Sequence, residues 1–558
     1  MSTALPTTVA THDVVIMGGG LAGLTLALQL RQRLPDIKVL VLERRQHPVP
    51  LAAHKVGEST VEIGAHYFTQ VLGLQAHFVA SQLRKFGFRF FFSHGQADMA
   101  NVTELGPSVA LPVGSWQIDR GVFENHLGQE VQRLGVDFVD GATVRELQLA
   151  PDHQPAGLHS VGWQQAKGEM QTARARWVID ACGRAGLIKR KLGLARDNAH
   201  GPHAVWFRVG THLSPDTWVE DPAWRDRCTT PSRWLSTNHL VGEGYWVWLI
   251  PLSSGSHSVG IVADPRWHPL EKMNTFERAM DWLQLHQPRL FAELHPLRDT
   301  LQDFLFLKHF SYDCAQVFSG KRWALTGEAG RFLDPLYSPG SDFIAIGNTY
   351  ITDLVARDLA GQPIQAHVNV YEQVFRSMYD NTLALYQDQY GLLGDPEVLP
   401  IKIFWDYSYY WGVLAKLYFH GGITDLVALG QVRDEVGAVH PLNGAVQKFV
   451  RQMSAHSAKR NPSAFLDQAS LPWFVELNRS LLDSVSADQF KLRLRESAER
   501  LRQLATEILD RAASLHPHLD GGDLHAAIEA AGGALRGRSP LLFPPVATAT
   551  ATASQAAP

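Results

Sequence analysis

Cysteine is scarce: the 558 residues hold three, Cys182, Cys228 and Cys314, with no C-x-x-C pair. Neither a disulfide framework nor a thiolate metal site can be built from that set, which suits a reducing compartment and makes the cytoplasm the expected address. A basic excess is also missing. With 51 Lys and Arg against 55 Asp and Glu, the net charge is -4, so the electrostatic footprint of a nucleic-acid binder is absent. No run of 18 apolar residues occurs, so no membrane span is expected. The opening MSTALPTTVATH lacks a basic flank and an apolar core of its own, so no signal peptide is expected. Internal repeats are lacking too, and the one low-complexity stretch, 546–558, is expected to be a disordered tail. What remains, 45% hydrophobic and 19% charged, is the balance of a globular protein whose partner is a small molecule. Fifteen Trp and 26 Phe hint at a pocket for a flat ligand.

The first 43 residues carry the strongest local signal. A strand, Asp13 to Met17, runs into Gly18-x-Gly20-x-x-Gly23, a helical LTLALQLRQRL, and a second strand ending at Glu43, 20 residues beyond Gly23. Strand, turn, helix and acidic residue are the four contexts that make this pattern a dinucleotide fingerprint. Gly18 permits the tight turn, Gly20 lets backbone approach a pyrophosphate, and Gly23 allows close helix–strand packing. The helix N-terminus attracts phosphate, and Glu43 is placed to accept from a ribose hydroxyl.

From Phe88 to Leu307 the segments FRFFF, DFVDGATVREL, ARWVIDACG, HAVWFRVG, GYWVWLIPL and HSVGIVA alternate with Gly/Pro turns, predicting a sheet domain threaded through the nucleotide unit. After Tyr350 strand signals nearly vanish. Helical periodicity in the segment from Ser486 places Phe490, Leu492, Leu494, Leu501, Leu504 and Leu509 on one face. The expected units are 1–355, with inserted segments near 88–115 and 200–310, a helical domain over 356–545, and the tail 546–558. His516, His518 and His525 sit beside Pro517 and Gly521-Gly522 and are expected in a polar loop, not a metal cluster.

Longer motifs bring a family into view. KRWALTGEAG, with Gly327 and Glu328, resembles the second flavin-binding motif of the glutathione-reductase-like FAD monooxygenases, where Asp usually stands in place of Glu328. WVIDACGR from Trp177 and Gln117-Ile118-Asp119-Arg120 resemble two further motifs of that superfamily. Phe332-x-x-Pro335-x-x-Ser338-x-Gly340, Trp246-x-Trp248-x-Ile250, the Lys55 to Thr60 segment KVGEST and Lys85 in LRKFGFRFFF are similar to signatures of the flavin-dependent halogenases. The resemblance spans residues 13 to 350.

That resemblance implies an α/β, glutathione-reductase-like FAD-binding fold with an interleaved β-sheet substrate domain and a mostly helical C-terminal domain. It implies FAD, used as FADH2, contacted by Gly18, Gly20, Leu21, Ala22, Gly23, Glu43, Arg44, Glu58, Ser59, Arg120, Gly327 and Glu328. Chloride or bromide would be bound by the N–H groups of Gly340 and Ser341, since successive N–H groups form an anion-binding concavity and Pro339 has none to offer. In the family, reduced flavin and dioxygen oxidise halide to hypohalous acid, which travels to the substrate. Lys85 would guide it, through a hydrogen bond or as a haloamine, with Ser338 oriented near the lysine. Taken on its residue type alone, Lys85 reads as a solvated strand end, and Trp246 and Trp248, on one strand face, read as packing.

Tryptophan halogenases carry Glu just before the motif serine, where this chain has Tyr337. The resemblance is therefore to the branch acting on phenols, or on pyrroles and phenols carried by acyl carrier proteins, and the expected substrate is a small electron-rich, phenolic ring. Only one G-x-G-x-x-G unit is found, so a separate flavin reductase is the expected partner. Two other readings share these motifs: an FAD aromatic hydroxylase using NAD(P)H, and an inactive flavin scaffold whose helical third docks a carrier protein.

Overall fold

The computed structural model describes residues 10–52, 56–151, 157–166, 168–229 and 232–543. Lys55 and the tail 546–558 lie outside them. β1 (Ala10–Met17), α1 (Leu21–Arg33) and β2 (Val39–Leu42) form the expected right-hand start of an α/β unit. β2 reads VLVL because both of its faces are covered, and all four residues are buried.

Around this unit an eight-stranded sheet assembles. β1 pairs in parallel with β2 and with Gln171–Asp180, which pairs in parallel with Trp323–Leu325, while Asp137–Val139 extends the β2 side. A hairpin, Ala142–Gln148 and His159–Gln165, joins through Gln171–Asp180. The strands in DFVDGATVREL and ARWVIDACG thus belong to the nucleotide sheet and not to the threaded one. Both ladders follow one alternating pattern, and only their tertiary partners separate them.

The second sheet runs Leu301–Leu307, His203–Val209, His257–Ala263, Tyr245–Pro251, Thr237–Gly242, Phe88–Phe91, Glu104–Gly106, Phe465–Asp467. Its last strand comes from the predominantly helical final third and pairs in parallel with Glu104–Gly106. Gly260 shows how tightly this sheet is faced: a Cβ there would lie 2.1 Å from the Trp248 ring. A separate short pair joins Leu83–Lys85 to Ser115–Gln117, with Lys85 opposite Ser115.

The helix Ala487–Leu515 starts with a capping box between Ser486 and Gln489 and buries Phe490, Leu494, Leu501 and Leu504, but Leu492 is 53% exposed. Two residues after Phe490 the helix has turned about 200°, which carries Leu492 to the solvent side. His525 lies within the helix Gly522–Ala530, not in a loop, and no metal-binding cluster of His, Cys, Asp or Glu occurs among the described residues. None of the described helices is long and apolar enough to cross a membrane.

Candidate active site

The cradle at the end of β1 shows which glycine does what. Gly18 has φ +111°, and a Cβ there would lie 2.3 Å from the Ala181 carbonyl oxygen; at Gly23 a Cβ would lie 1.9 Å from the Gly18 carbonyl oxygen. These two are demanded by the fold itself. Gly20, the residue before α1, has φ -83° and ψ -170°, a conformation open to any residue, so its backbone geometry does not itself demand glycine. Glu43 accepts from the Gly19 N–H at 2.7 Å and the Arg45 N–H at 2.8 Å, which fixes its carboxylate beside the turn. Arg44 is exposed at the end of β2.

Leu21, the first residue of α1, also opens a long cleft between the two sheets. The cleft gathers Glu58, Ser59, Arg120, Gly327, Glu328, Ser338, Gly340 and Ser341 from four separate segments, and faces them with Thr237, His239, Trp246 and Trp248 of the second sheet. Arg120 Nη1 donates to the Val56 carbonyl at 2.8 Å and Nη2 to Glu124 at 2.6 Å. The Glu58 carboxylate accepts from Arg208 Nη2 at 2.6 Å and Nε at 2.9 Å, and burial pushes its pKa up. Gly327, at φ +58°, passes so close to α1 that a Cβ would lie 2.9 Å from the Ala22 side chain.

Gly340 and Ser341 are the first residues of the 20-residue helix Gly340–Leu359 rather than of a free turn. Their N–H groups therefore belong to the set that a helix start leaves without internal partners, at the positive end of its dipole. Tyr337 at φ 64° and Ser338 at φ 54° hold strained left-handed backbone just before it, the kind of conformation that concentrates at functional sites.

The tryptophans form part of the cleft wall. Trp246 donates to Tyr390 Oη at 3.3 Å, and that hydroxyl donates to Asp334. Trp248 donates to Ser258 at 3.1 Å.

Lys85 is 4% exposed, so the solvated strand end is overturned. Its Nζ donates to Ser59 Oγ and to the Thr60 carbonyl, each at 2.9 Å, and stands 3.4 Å above the Phe88 ring. The serine bonded to the lysine is thus Ser59; Ser338 lines the cleft. Ser59 faces the cleft, while Phe88 faces a second chamber walled by Tyr337, Tyr386, Tyr407, Tyr409, Tyr410 and Asp342. The lysine sits in the partition between them. Burial depresses its pKa well below the ordinary lysine value, against the opposing pull of Glu62 and Asp342. Burial pushes Asp342 up to about 8, Glu62 adding to the shift, and raises Glu62 as well. His239 is pushed down to about 3 by burial and then by the lysine's charge, so a neutral imidazole faces the cleft.

Sequence reading passed over Glu62, Asp342 and the chamber tyrosines. Glu62 and Asp342 flank motifs that were read for other residues, and nothing local signals that a carboxylate is buried. Asp342 accepts from the Gly64 N–H at 2.8 Å and Tyr410 Oη at 2.7 Å. Tyr337 donates at 3.0 Å to Asp406, which also accepts from Lys402 at 2.6 Å and Gln447 at 2.7 Å. The tyrosine at the motif position of interest is thereby fixed by a buried ion pair on the helical side.

Glycines stripped for a pyrophosphate, an anchored Glu43 and a cleft leading from α1 to the partition fit FAD. A parallel dinucleotide-binding sheet joined to a second sheet over such a cleft defines an FAD-dependent oxidoreductase. Residues 11–250 match the FAD binding domain family. The chain is 24% identical over 433 residues to the flavin-dependent halogenase chlA of Dictyostelium discoideum, covering 73% of this chain and 70% of that one. It is 24% identical to the 1H-pyrrole-2-carbonyl-[peptidyl-carrier protein] chlorinase of Pseudomonas fluorescens, over 59% and 72% of the two chains. Among solved structures, halogenase PltM in complex with phloroglucinol and FAD aligns at a TM-score of 0.61, with 17% identity, over 89% of this chain and 96% of that one. In sequence and in fold the chain is similar to flavin-dependent halogenases, and these relatives support FAD-dependent halogenation as its general activity.

Proposed function

We propose that the protein halogenates an electron-rich phenolic ring, with Lys85 passing the electrophilic halogen from the flavin cleft to the tyrosine-walled chamber. The observation that carries this is the place of Lys85 in the partition, bonded to Ser59 of the cleft and stacked on Phe88 of the chamber. Bound reduced FAD would supply, with dioxygen, the oxidising equivalents that turn halide into hypohalous acid. Gly340 and Ser341 at the helix start would hold the halide. Gly18, Gly20, Leu21, Ala22, Gly23, Glu43 and Arg44 would hold the adenosine and pyrophosphate end, and Glu58, Ser59, Arg120, Gly327 and Glu328 would line the rest of the cofactor. Ser338 would shape the cleft beside the halide. Reduced flavin would come from a separate reductase.

Burial favours the neutral amine of Lys85 over the ammonium. A neutral amine can take halogen from hypohalous acid with loss of water and hand it to the ring, whose displaced proton returns to the nitrogen. The chamber suits a phenol because Tyr337, Tyr407 and Tyr410 offer ring faces and hydroxyls together.

The test is mass spectrometry of reactions containing FAD, a flavin reductase, NADH, oxygen, bromide or chloride and a panel of phenols. Products with a halogen isotope pattern are expected, and Lys85→Met should lower their formation by about 10²-fold or more while FAD binding persists. Equal turnover by Lys85→Met would remove the lysine from the transfer. Products gaining only oxygen would replace halogenation with hydroxylation.

A further inference from the structure

Beside the tyrosine chamber, and sharing Thr382, Tyr409 and Leu414 with its lining, lies a third cavity of about 440 Å³, open to solvent on one side, between the helices Gln365–Leu383, Leu426–Gln431 and Arg433–His456. Aliphatic side chains such as Val374, Leu417 and Leu429 dominate its surface. Of its polar lining residues, Ser377 and His440 engage each other at 3.0 Å. Gly430 and Gly437 also face it, and a Cβ at either would meet open space.

A largely apolar space of this size, sharing three lining residues with a site for an aromatic ring, is what an aliphatic substituent on that ring would fill. We propose that this cavity is a second substrate subsite, and that the substrate is a phenol bearing an unbranched aliphatic chain of several methylenes. The identity of the ring rests on the function proposed above; the chain subsite rests on the cavity alone. A pantetheine arm is the poorer occupant, because most of the lining is aliphatic and each of its amides left unpaired there costs binding. The two glycines are exposed and keep the mouth of the cavity free of side chains. Glycine inside a helix is otherwise unfavourable relative to alanine, and both stand within helices.

The experiment is calorimetric titration of the FAD-loaded protein with 4-methylphenol, 4-butylphenol and 4-heptylphenol, and with the pantetheinyl amide of 4-hydroxybenzoic acid. Affinity should rise about three- to fourfold for each methylene added within the cavity. Gly437→Phe, which projects a ring into the space, should flatten the series so that 4-heptylphenol binds no better than 4-methylphenol. Gly437→Leu should shorten the rising part of the series, and a thermal melt of each variant checks that the helix persists. A flat series in the unaltered protein would overturn the subsite. So would a slope untouched by Gly437→Phe, or tighter binding of the pantetheinyl amide than of every alkylphenol. Because binding is read without turnover, chain-dependent binding with no halogenated product would leave the subsite standing and remove the proposed reaction instead.

Discussion

Lys85 is held by one hydroxyl and one carbonyl neighbour that do not neutralise it, and feels two carboxyl groups that can. Desolvation lowers its pKa while Glu62 and Asp342 raise it, so the proton on the nitrogen is set by a contest among buried groups. Glu62→Gln removes one of the raising charges. The amine should then lose its proton at lower pH, and the acid limb of the kcat profile should move to lower pH while Lys85 remains required. Asp342, at about 8, changes charge on the alkaline side, so Asp342→Asn should flatten the profile above neutrality. Steady-state rates between pH 5 and 10 in both variants, with FAD content matched, check the pair. An acid limb that stays in place in Glu62→Gln would show that Glu62 only fills space. His239 is neutral throughout that range, since its pKa is about 3, and Tyr337 hydrogen-bonds the buried Asp406–Lys402 pair; neither should contribute a limb. None of this balance was legible from residue order. LRKFGFRFFF shows a lysine before an apolar strand, and only the folded chain brings Ser59, Glu62 and Asp342 to it from positions as far as 257 residues away in sequence.

Among the elements, the turn between β1 and α1 separates what a glycine does for the fold from what it does for a ligand. Gly23 cannot carry a Cβ, because one would lie 1.9 Å from the Gly18 carbonyl oxygen, whereas the backbone of Gly20 holds a conformation that any residue adopts. Gly20→Val should therefore leave the melting temperature of the FAD-free protein nearly unchanged and abolish FAD binding, by placing two methyl groups where a pyrophosphate must approach. Gly23→Val should instead destabilise the protein by several kcal/mol, the scale expected when backbone must move to relieve overpacking. Differential scanning fluorimetry with and without FAD, together with flavin absorbance, distinguishes the two. A Gly20→Val protein that still retains stoichiometric flavin would move the pyrophosphate elsewhere. Here the sequence was a good guide. Glycine spacing, the preceding strand and Glu43 are local, and the fold keeps them local. Gly340 and Ser341, proposed above to hold the halide, were legible as a motif; their placement at the start of a 20-residue helix follows Pro339, where a proline closes off nothing the helix needs.

At the scale of the whole molecule, the helical third and the second sheet are fastened by contacts between residues some 360 positions apart. Asn461 accepts from the Thr103 N–H and hydroxyl, Asp467 from the Ser108 N–H and hydroxyl, and Asn478 from the Val113 N–H, at 2.7 to 2.8 Å. The strand Phe465–Asp467 closes the sheet edge alongside them. A three-residue strand in a polar stretch gives no alternation to read, so the sequence set a boundary near residue 356 where the folded chain has its last third gripping the sheet that carries Lys85's neighbours. The same helices enclose the tyrosine chamber, so loosening them opens the site. Asn478→Ala tests this coupling. It leaves the buried Val113 N–H without its acceptor, at a cost of about 1–3 kcal/mol, and removes the amide that reaches Glu62 at 3.4 Å. Far-UV circular dichroism reports mainly the helices, and tryptophan fluorescence reports mainly the first two thirds of the chain, which hold 12 of the 15 tryptophans, only Trp405, Trp411 and Trp473 standing in the last third. In thermal unfolding the two signals should move together to a lower midpoint in Asn478→Ala, because one cooperative unit is being weakened. If instead the helical signal fell first and the tryptophan signal held its original midpoint, the final third would be an independent domain, and the chamber would be an interface between two separately stable parts.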